Sequence, residues 1–120
     1  MDASVNEITI NGQVYVKKGS EAKPDMAENY VIVRTYSAGV FAGEPVKREG
    51  MEVTLKNARR LWYWDGAATL SQLAMEGTTA PQKCKFPAEV EEVLLTQAVE
   101  ILKVTKKAQR IIREVSIWKR

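Results

Sequence analysis

The run "YVIVRTYSAGVFAGE" at residues 30–44 limits the fold more than any other part of the chain. Residues 30–33 are apolar at consecutive positions. Neighbouring side chains of a strand point to opposite faces, so a strand here is apolar on both. Such a strand is central, with a neighbour on each side and cover on each face. A tight-turn signal at Ala38-Gly39 and a second apolar run follow, which predicts an antiparallel pair.

Similar signals flank this pair. "ITINGQVYV" (residues 8–16) places Asn11-Gly12 between alternating runs, the pattern of a type I′ hairpin. Residues 17–29 are polar, with Gly19 and Pro24, so residues 1–17 read as a loosely attached hairpin arm. In "EGMEVTLKNARRLWYW", Met51, Val53 and Leu55 alternate. A connection is expected at residues 56–59 and another strand at 61–64, closed by Asp65-Gly66. Residues 68–76 predict a short helix capped by Thr69 and ended by Gly77, with Leu70, Leu73 and Ala74 on one face. A loop bracketed by Pro81 and Pro87 precedes two more strand signals at 89–95 and 98–104. Thr105 is placed to cap a last helix over 106–115, with Ala108, Ile111, Ile112 and Val115 inward. The expectation is an α+β fold: an antiparallel sheet of six to eight strands with two short helices in the C-terminal half. One such sheet keeps an open face or edge, which a second copy would cover.

The length, 120 residues, suits a single domain. Within 1–120 we expect the arm at 1–17, the sheet and short helix at 30–104, and the last helix at 105–115. No run approaches the roughly 20 apolar residues of a membrane span. The N-terminus lacks the basic and apolar regions of a signal peptide, so a cytosolic protein is expected. Cys84 is the only cysteine and histidine is absent, which excludes an internal disulfide, a cysteine zinc site and every histidine-based triad. Asp2, Asp25 and Asp65 are the only aspartates and none adjoins another. No phosphate-loop, dinucleotide or calcium-loop motif occurs. The expectation is a protein without enzymatic activity, cofactor or metal.

Charge is unevenly placed. Residues 103–120 carry seven cations against Glu114, a local +6 in a chain of net +3, which leaves −3 elsewhere. Lys106, Arg110 and Arg113 form one stripe of the last helix. The stripe is either a solvated face or a site for an anion. Arg34 interrupts the central strand and needs either an internal glutamate or a bound phosphate, beside a Ser37–Gly39 turn whose N–H groups can also receive oxygens. Arg59 and Arg60 lie on opposite strand faces; an arginine can grip a phosphate bidentately and stack on a ring. Trp62 and Trp64 read mainly as core. Phe86, next to Lys85 in "KCKFP", either pins its loop or stacks on a base.

"YVIVRTYSAGVFAGE", "LKNARRLWYWDGAATLSQLAMEG" and "KCKFP" together resemble a family of small phage proteins, the first-described type of Thoeris anti-defence "sponges". The likeness covers residues 30–104. It implies an N-terminal antiparallel sheet with C-terminal helices, assembled as a homo-dimer or as a hexamer of dimers in the host bacterial cytoplasm. It implies that the protein binds and sequesters a cyclic ADP-ribose isomer (1''-2' or 1''-3' glycocyclic type) made by bacterial TIR-domain enzymes, without cleaving it. The effector NADase then stays off. Some members also hold cyclic di- or trinucleotides of the CBASS type at a second site. The ligand-contacting types in the family are arginines and a loop phenylalanine. The matching candidates are Arg34, with Ser37 and Gly39, Phe86, and Arg110 or Arg113. Arg59, Arg60 and Lys85 are candidates for the second site. The alternative is a nucleic-acid-binding or structural protein-interaction phage module, in which the basic helix docks on RNA, DNA or an acidic protein; the sponge reading expects no DNA and no membrane.

Overall fold

The computed structural model describes residues 26–120. The expected arm and hairpin at 1–17 lie outside the described residues. The strands are β1 (Val31–Thr35), β2 (Val40–Glu49), β3 (Glu52–Arg60), β4 (Val90–Leu95) and β5 (Ala98–Lys103). Helix α1 (Leu70–Glu76) and a single 3₁₀ turn at Pro81–Lys83 lie between β3 and β4, and α2 (Lys106–Glu114) follows β5. All strand pairs are antiparallel, in the order β4-β3-β2-β1-β5. The architecture is the expected α+β, with five strands among the described residues.

The edge strands β4 and β5 are joined only through Thr96 and Gln97. In a flat five-stranded sheet the edges would stand about 19 Å apart, at roughly 4.8 Å per strand. Three steps of chain reach about 11 Å at most. The sheet therefore curls until its edges meet at this corner. The corner is tied on both sides: Tyr36 N–H donates to Gln97 O and Ala98 N–H to Met51 O, each at 2.9 Å. Two register breaks in the β2–β3 pair, between Ala42 and Glu44 and between Pro45 and Lys47, provide the bend. At the first, an added Cβ on Gly43 would sit 3.1 Å from Ala58 Cα and 3.2 Å from Lys56 O.

The curl gives the sheet an inner and an outer face. Val31, Val33, Phe41, Val53, Leu55, Ala58 and Leu95 pack together on the inner one. Tyr30, Ile32, Ala42 and Leu61 pack with Leu73 and Ala74 of α1, Phe86, and Ile112 of α2 on the outer one. The consecutive apolar residues of β1 thus feed two cores, as a strand apolar on both faces requires.

β3 corrects the expected connection at 56–59 and strand at 61–64. Asn57 takes φ 52° and donates to Glu44 Oε2 at 3.0 Å. This makes a bulge, and β3 continues through it to Arg60. Leu61 N–H still donates to Val40 O at 2.8 Å; residues 62–64 then leave the sheet, and of these only Tyr63 makes a bridge, to Lys85. Trp62 accordingly stands 62% exposed, contrary to its reading as core, while Trp64 is half-buried against the outer core.

The helix signals hold. Thr69 Oγ1 accepts from Gln72 N–H, and Gln72 Oε1 accepts from the N–H of Ala68, the residue before the cap. Gly77 ends α1. Thr105 Oγ1 accepts from Ala108 N–H and donates to Met75 O, so one hydroxyl caps α2 and fastens it to the end of α1. One α2 residue departs from the expected inward face. Gln109 is buried, and its amide accepts from Ala27 N–H at 2.8 Å and donates to Ala27 O at 3.1 Å. Gly66, at φ 84°, has no room for a side chain: an added Cβ would stand 2.5 Å from Ala80 N and against Thr78 Oγ1. Gly66→Ala is expected to lower stability by about 2–3 kcal/mol, from left-handed strain and overpacking together, read as a shift in the urea midpoint. Gln109→Leu should cost about 2 kcal/mol, because it leaves a buried N–H and C=O without partners.

Candidate functional site

Beside the second half of α2 lies a cleft of about 820 Å³, lined by Met26, Arg59, Ala88, Glu89, Arg110, Arg113, Glu114, Val115 and Ile117. Its floor is built by Arg59, on the outer face near the end of β3 and 2% exposed. Arg59 Nε donates to Pro87 O at 2.8 Å, Nη2 to Phe86 O at 2.9 Å and Nη1 to Ile112 O at 2.9 Å. The Ile112 carbonyl belongs to the last turn of α2, where helix carbonyls lack intrahelical partners and carry partial negative charge. One guanidinium therefore joins β3, the strap at 86–87 and the C-terminal end of α2. Burial lowers its pKa from the ordinary arginine value, and the Tyr30 and Glu89 oxygens oppose that shift.

Arg110 and Arg113 are three apart on α2, so they share a face of the helix. Arg113 Nε meets Glu89 Oε2 at 3.1 Å, with its side chain 10% exposed and that of Glu89 30%. Arg110 is exposed at the rim. The Arg113 guanidinium also stands 5.9 Å from the ring centre of Tyr30. Tyr30 is 2% exposed and its hydroxyl has no hydrogen-bond partner among the described residues. Its pKa is raised well above the usual tyrosine value, first by burial and then by Glu89, with Arg113 and Arg59 pulling it down.

The other expected site residues lie elsewhere. Arg34 is exposed at the end of β1 away from Tyr30, where its Nε pairs with Glu100 Oε1 at 2.9 Å. The internal glutamate satisfies it, because β5 brings Glu100 opposite it in register. Ser37 Oγ donates to Gln97 Oε1, and Thr35 Oγ1 already accepts the Ala38 N–H of the β1–β2 turn, in which Gly39 has φ 94°. Arg60, on the face opposite Arg59, lies over the Phe41 ring at 4.3 Å and donates to Ala38 O at 2.6 Å. The structure thus gathers Arg34, Ser37, Gly39 and Arg60 around one turn, apart from the cleft. Phe86 is wholly buried, so its ring pins the strap to the core and offers no face to solvent. Cys84 is buried, with Sγ near the carbonyls of Asp65 and Ala80.

Lys85 belongs to a third group. Its Nζ lies 5.6 Å from the Tyr63 ring and 5.7 Å from that of Trp118. Trp118 stacks on Trp62 with centroids 6.4 Å apart and planes inclined by 6°. The main chain here holds the cleft wall: Trp118 N–H donates to Phe86 O, and Ile117 bridges to Phe86 while lining the cleft. Glu89, Tyr30 and this paired tail carried no motif in the sequence. The basic stripe did mark Arg110 and Arg113. Among the described residues no group of three or more His, Cys, Asp or Glu side chains is placed to hold a metal ion.

Arg59→Met is expected to lower stability by about 2 kcal/mol, roughly 1 kcal/mol for each of the Pro87 and Ile112 carbonyls, since Phe86 O keeps the Trp118 N–H, whereas Arg110→Ala stays within about 0.5 kcal/mol. Urea unfolding of both variants checks this. For Tyr30, the folded state holds a proton that the unfolded chain releases above about pH 10. Stability is therefore unaffected by this group below pH 10 and falls as pH rises above it. Its tyrosinate absorbance should appear only together with loss of the circular dichroism signal, and Tyr30→Phe should remove that step.

The family model described as "Domain of unknown function (DUF6948)" matches residues 28–112, well over half of the chain. No curated protein and no solved structure matches it.

Proposed function

The chain belongs to the DUF6948 family, and we propose that it is a non-catalytic binding protein that sequesters a cyclic ADP-ribose isomer of the glycocyclic type in the cleft beside α2. The observation that carries this reading is the convergence of Arg110 and Arg113 on a cleft of about 820 Å³ with apolar walls at Met26, Val115 and Ile117. The volume lies within the roughly 300–1,000 Å³ range of small-molecule sites. Arginines fit a diphosphate by charge and by fork geometry, and the apolar walls fit an adenine. The resemblance to phage anti-defence sponges adds the ligand class and the host bacterial cytoplasm as the place of action. It also adds a homo-dimer or hexamer, for which Val99 and Ile101, 45% and 42% exposed on edge strand β5, offer apolar contact area. Sequestration needs no acid, base or nucleophile, in keeping with a chain that has no histidine. Among the described residues no helix is long and apolar enough to cross a membrane.

A second reading rests on a different observation. The exposed rings of Trp62 and Tyr63, with Lys85 between Tyr63 and Trp118, form the kind of stacking surface that single-stranded nucleic acid or a cyclic oligonucleotide uses. This surface, rather than Arg59, is then the second site, because the Arg59 donors face main-chain carbonyls.

The test is to incubate the protein with a TIR-produced cyclic ADP-ribose isomer, filter, heat the retained protein and identify what is released. Intact signal is expected. Arg113→Ala should weaken retention by about 1–3 kcal/mol, the range for a lost charged hydrogen bond, measured at a temperature where circular dichroism shows the variant folded. Absence of retention by the wild type would remove this function. Binding of a single-stranded oligonucleotide that is lost steeply with salt and with Trp62→Ala would establish the second reading in its place.

A further inference from the structure

Glu89 stands where an anionic ligand would have to go. Its carboxylate meets Arg113 Nε at 3.1 Å inside the cleft, and it also acts electrostatically on Arg59 and Tyr30. Nothing about the strap demands a carboxylate there: Arg59 already ties residues 86 and 87 to β3 and α2 through their carbonyls. The Arg113 guanidinium is in turn held 5.9 Å from the ring centre of the buried Tyr30.

We propose that Glu89 is a built-in competitor: its carboxylate occupies the anion position on Arg113, and a diphosphate-bearing ligand binds by displacing it. The proposal rests on the cleft being the binding site and adds how the site selects. A carboxylate carries one charge and holds Arg113 alone. A diphosphate carries more charge and reaches Arg113 and the rim Arg110 together, so it outcompetes Glu89 where a chloride or a carboxylate does not. Until it is displaced, Glu89 also offsets the charge of an Arg113 side chain that is 10% exposed.

The experiment uses inorganic pyrophosphate as probe and calorimetry as readout, on the full chain. Glu89→Gln, which keeps the side-chain shape and removes the charge, is expected to bind pyrophosphate about tenfold more tightly than wild type. Glu89→Ser is the second variant, should Glu89→Gln fail to fold. In Glu89→Gln/Arg113→Ala the gain should vanish, since the competitor acts through Arg113. Equal or weaker binding by the Glu89 variants would overturn the competitor while leaving sequestration in place. If the wild type and the Glu89 variants all ignore pyrophosphate yet retain the cyclic ADP-ribose isomer, the displacement of Glu89 by a diphosphate is wrong. If neither ligand is held, the cleft reading and this proposal fall together.

Discussion

The guanidinium of Arg59 holds together parts of the chain that have little else in common. A strand end, a strap between a 3₁₀ turn and β4, and the last turn of α2 all present carbonyls to it. Each of those segments ends hydrogen bonding of its own type where it meets the others. Buried carbonyls without partners would destabilise the fold there, and one planar group with five donors serves them in a single plane. A charge in this place is unfavourable by desolvation, and the partial charges of a helix C-terminus offset part of that cost. The cleft exists because this junction is polar: Arg59 forms its floor, and the segments it joins form its walls.

The second constraint is the closure of the sheet through Thr96 and Gln97. Curling buries the inner face without any helix, which frees both helices for the outer one. Arg110 and Arg113 are thereby displayed next to the strap. Bulges where Gly43 faces Asn57 and at Val46 make the curl possible, and the bulge at Asn57 carries β3 on to Arg59 and Arg60. The geometry of the sheet and the placing of the basic side chains are therefore one problem.

Much of this was legible in the sequence. The both-faced apolarity of β1, the turn at Ala38-Gly39, the caps Thr69 and Thr105 and the basic stripe of α2 all rest on local rules, and the structure follows them. The misreadings share a cause. "KNARRLWYW" looks like a turn followed by an aromatic strand, because asparagine marks turns and tryptophan marks cores. A left-handed asparagine can equally sit within a bulged strand, and only the partner strand decides which. Phe86 and Arg34 were ambiguous for the same reason: a core position or a glutamate opposite depends on pairings between segments far apart in sequence. Tyr30 and Glu89 are 59 positions apart in the chain, yet the fold brings Glu89 close enough to raise the Tyr30 pKa.

The pairing of β5 with β1 has a further consequence, in time rather than in space. Val31 lies opposite Lys103, so one side of the most apolar strand receives its partner only after about seventy more residues exist. During synthesis, at roughly 5–20 residues per second, β1 can pair with β2 within a second or so and then waits several seconds for β5. For that interval the chain displays an unpaired edge flanked by apolar side chains, the kind of surface at which separate chains join. The long excursion through α1 and the strap prolongs the wait. This protein is thus most exposed to misassociation while nascent, and β5, which ends the exposure, is followed directly by α2, whose residues line the cleft.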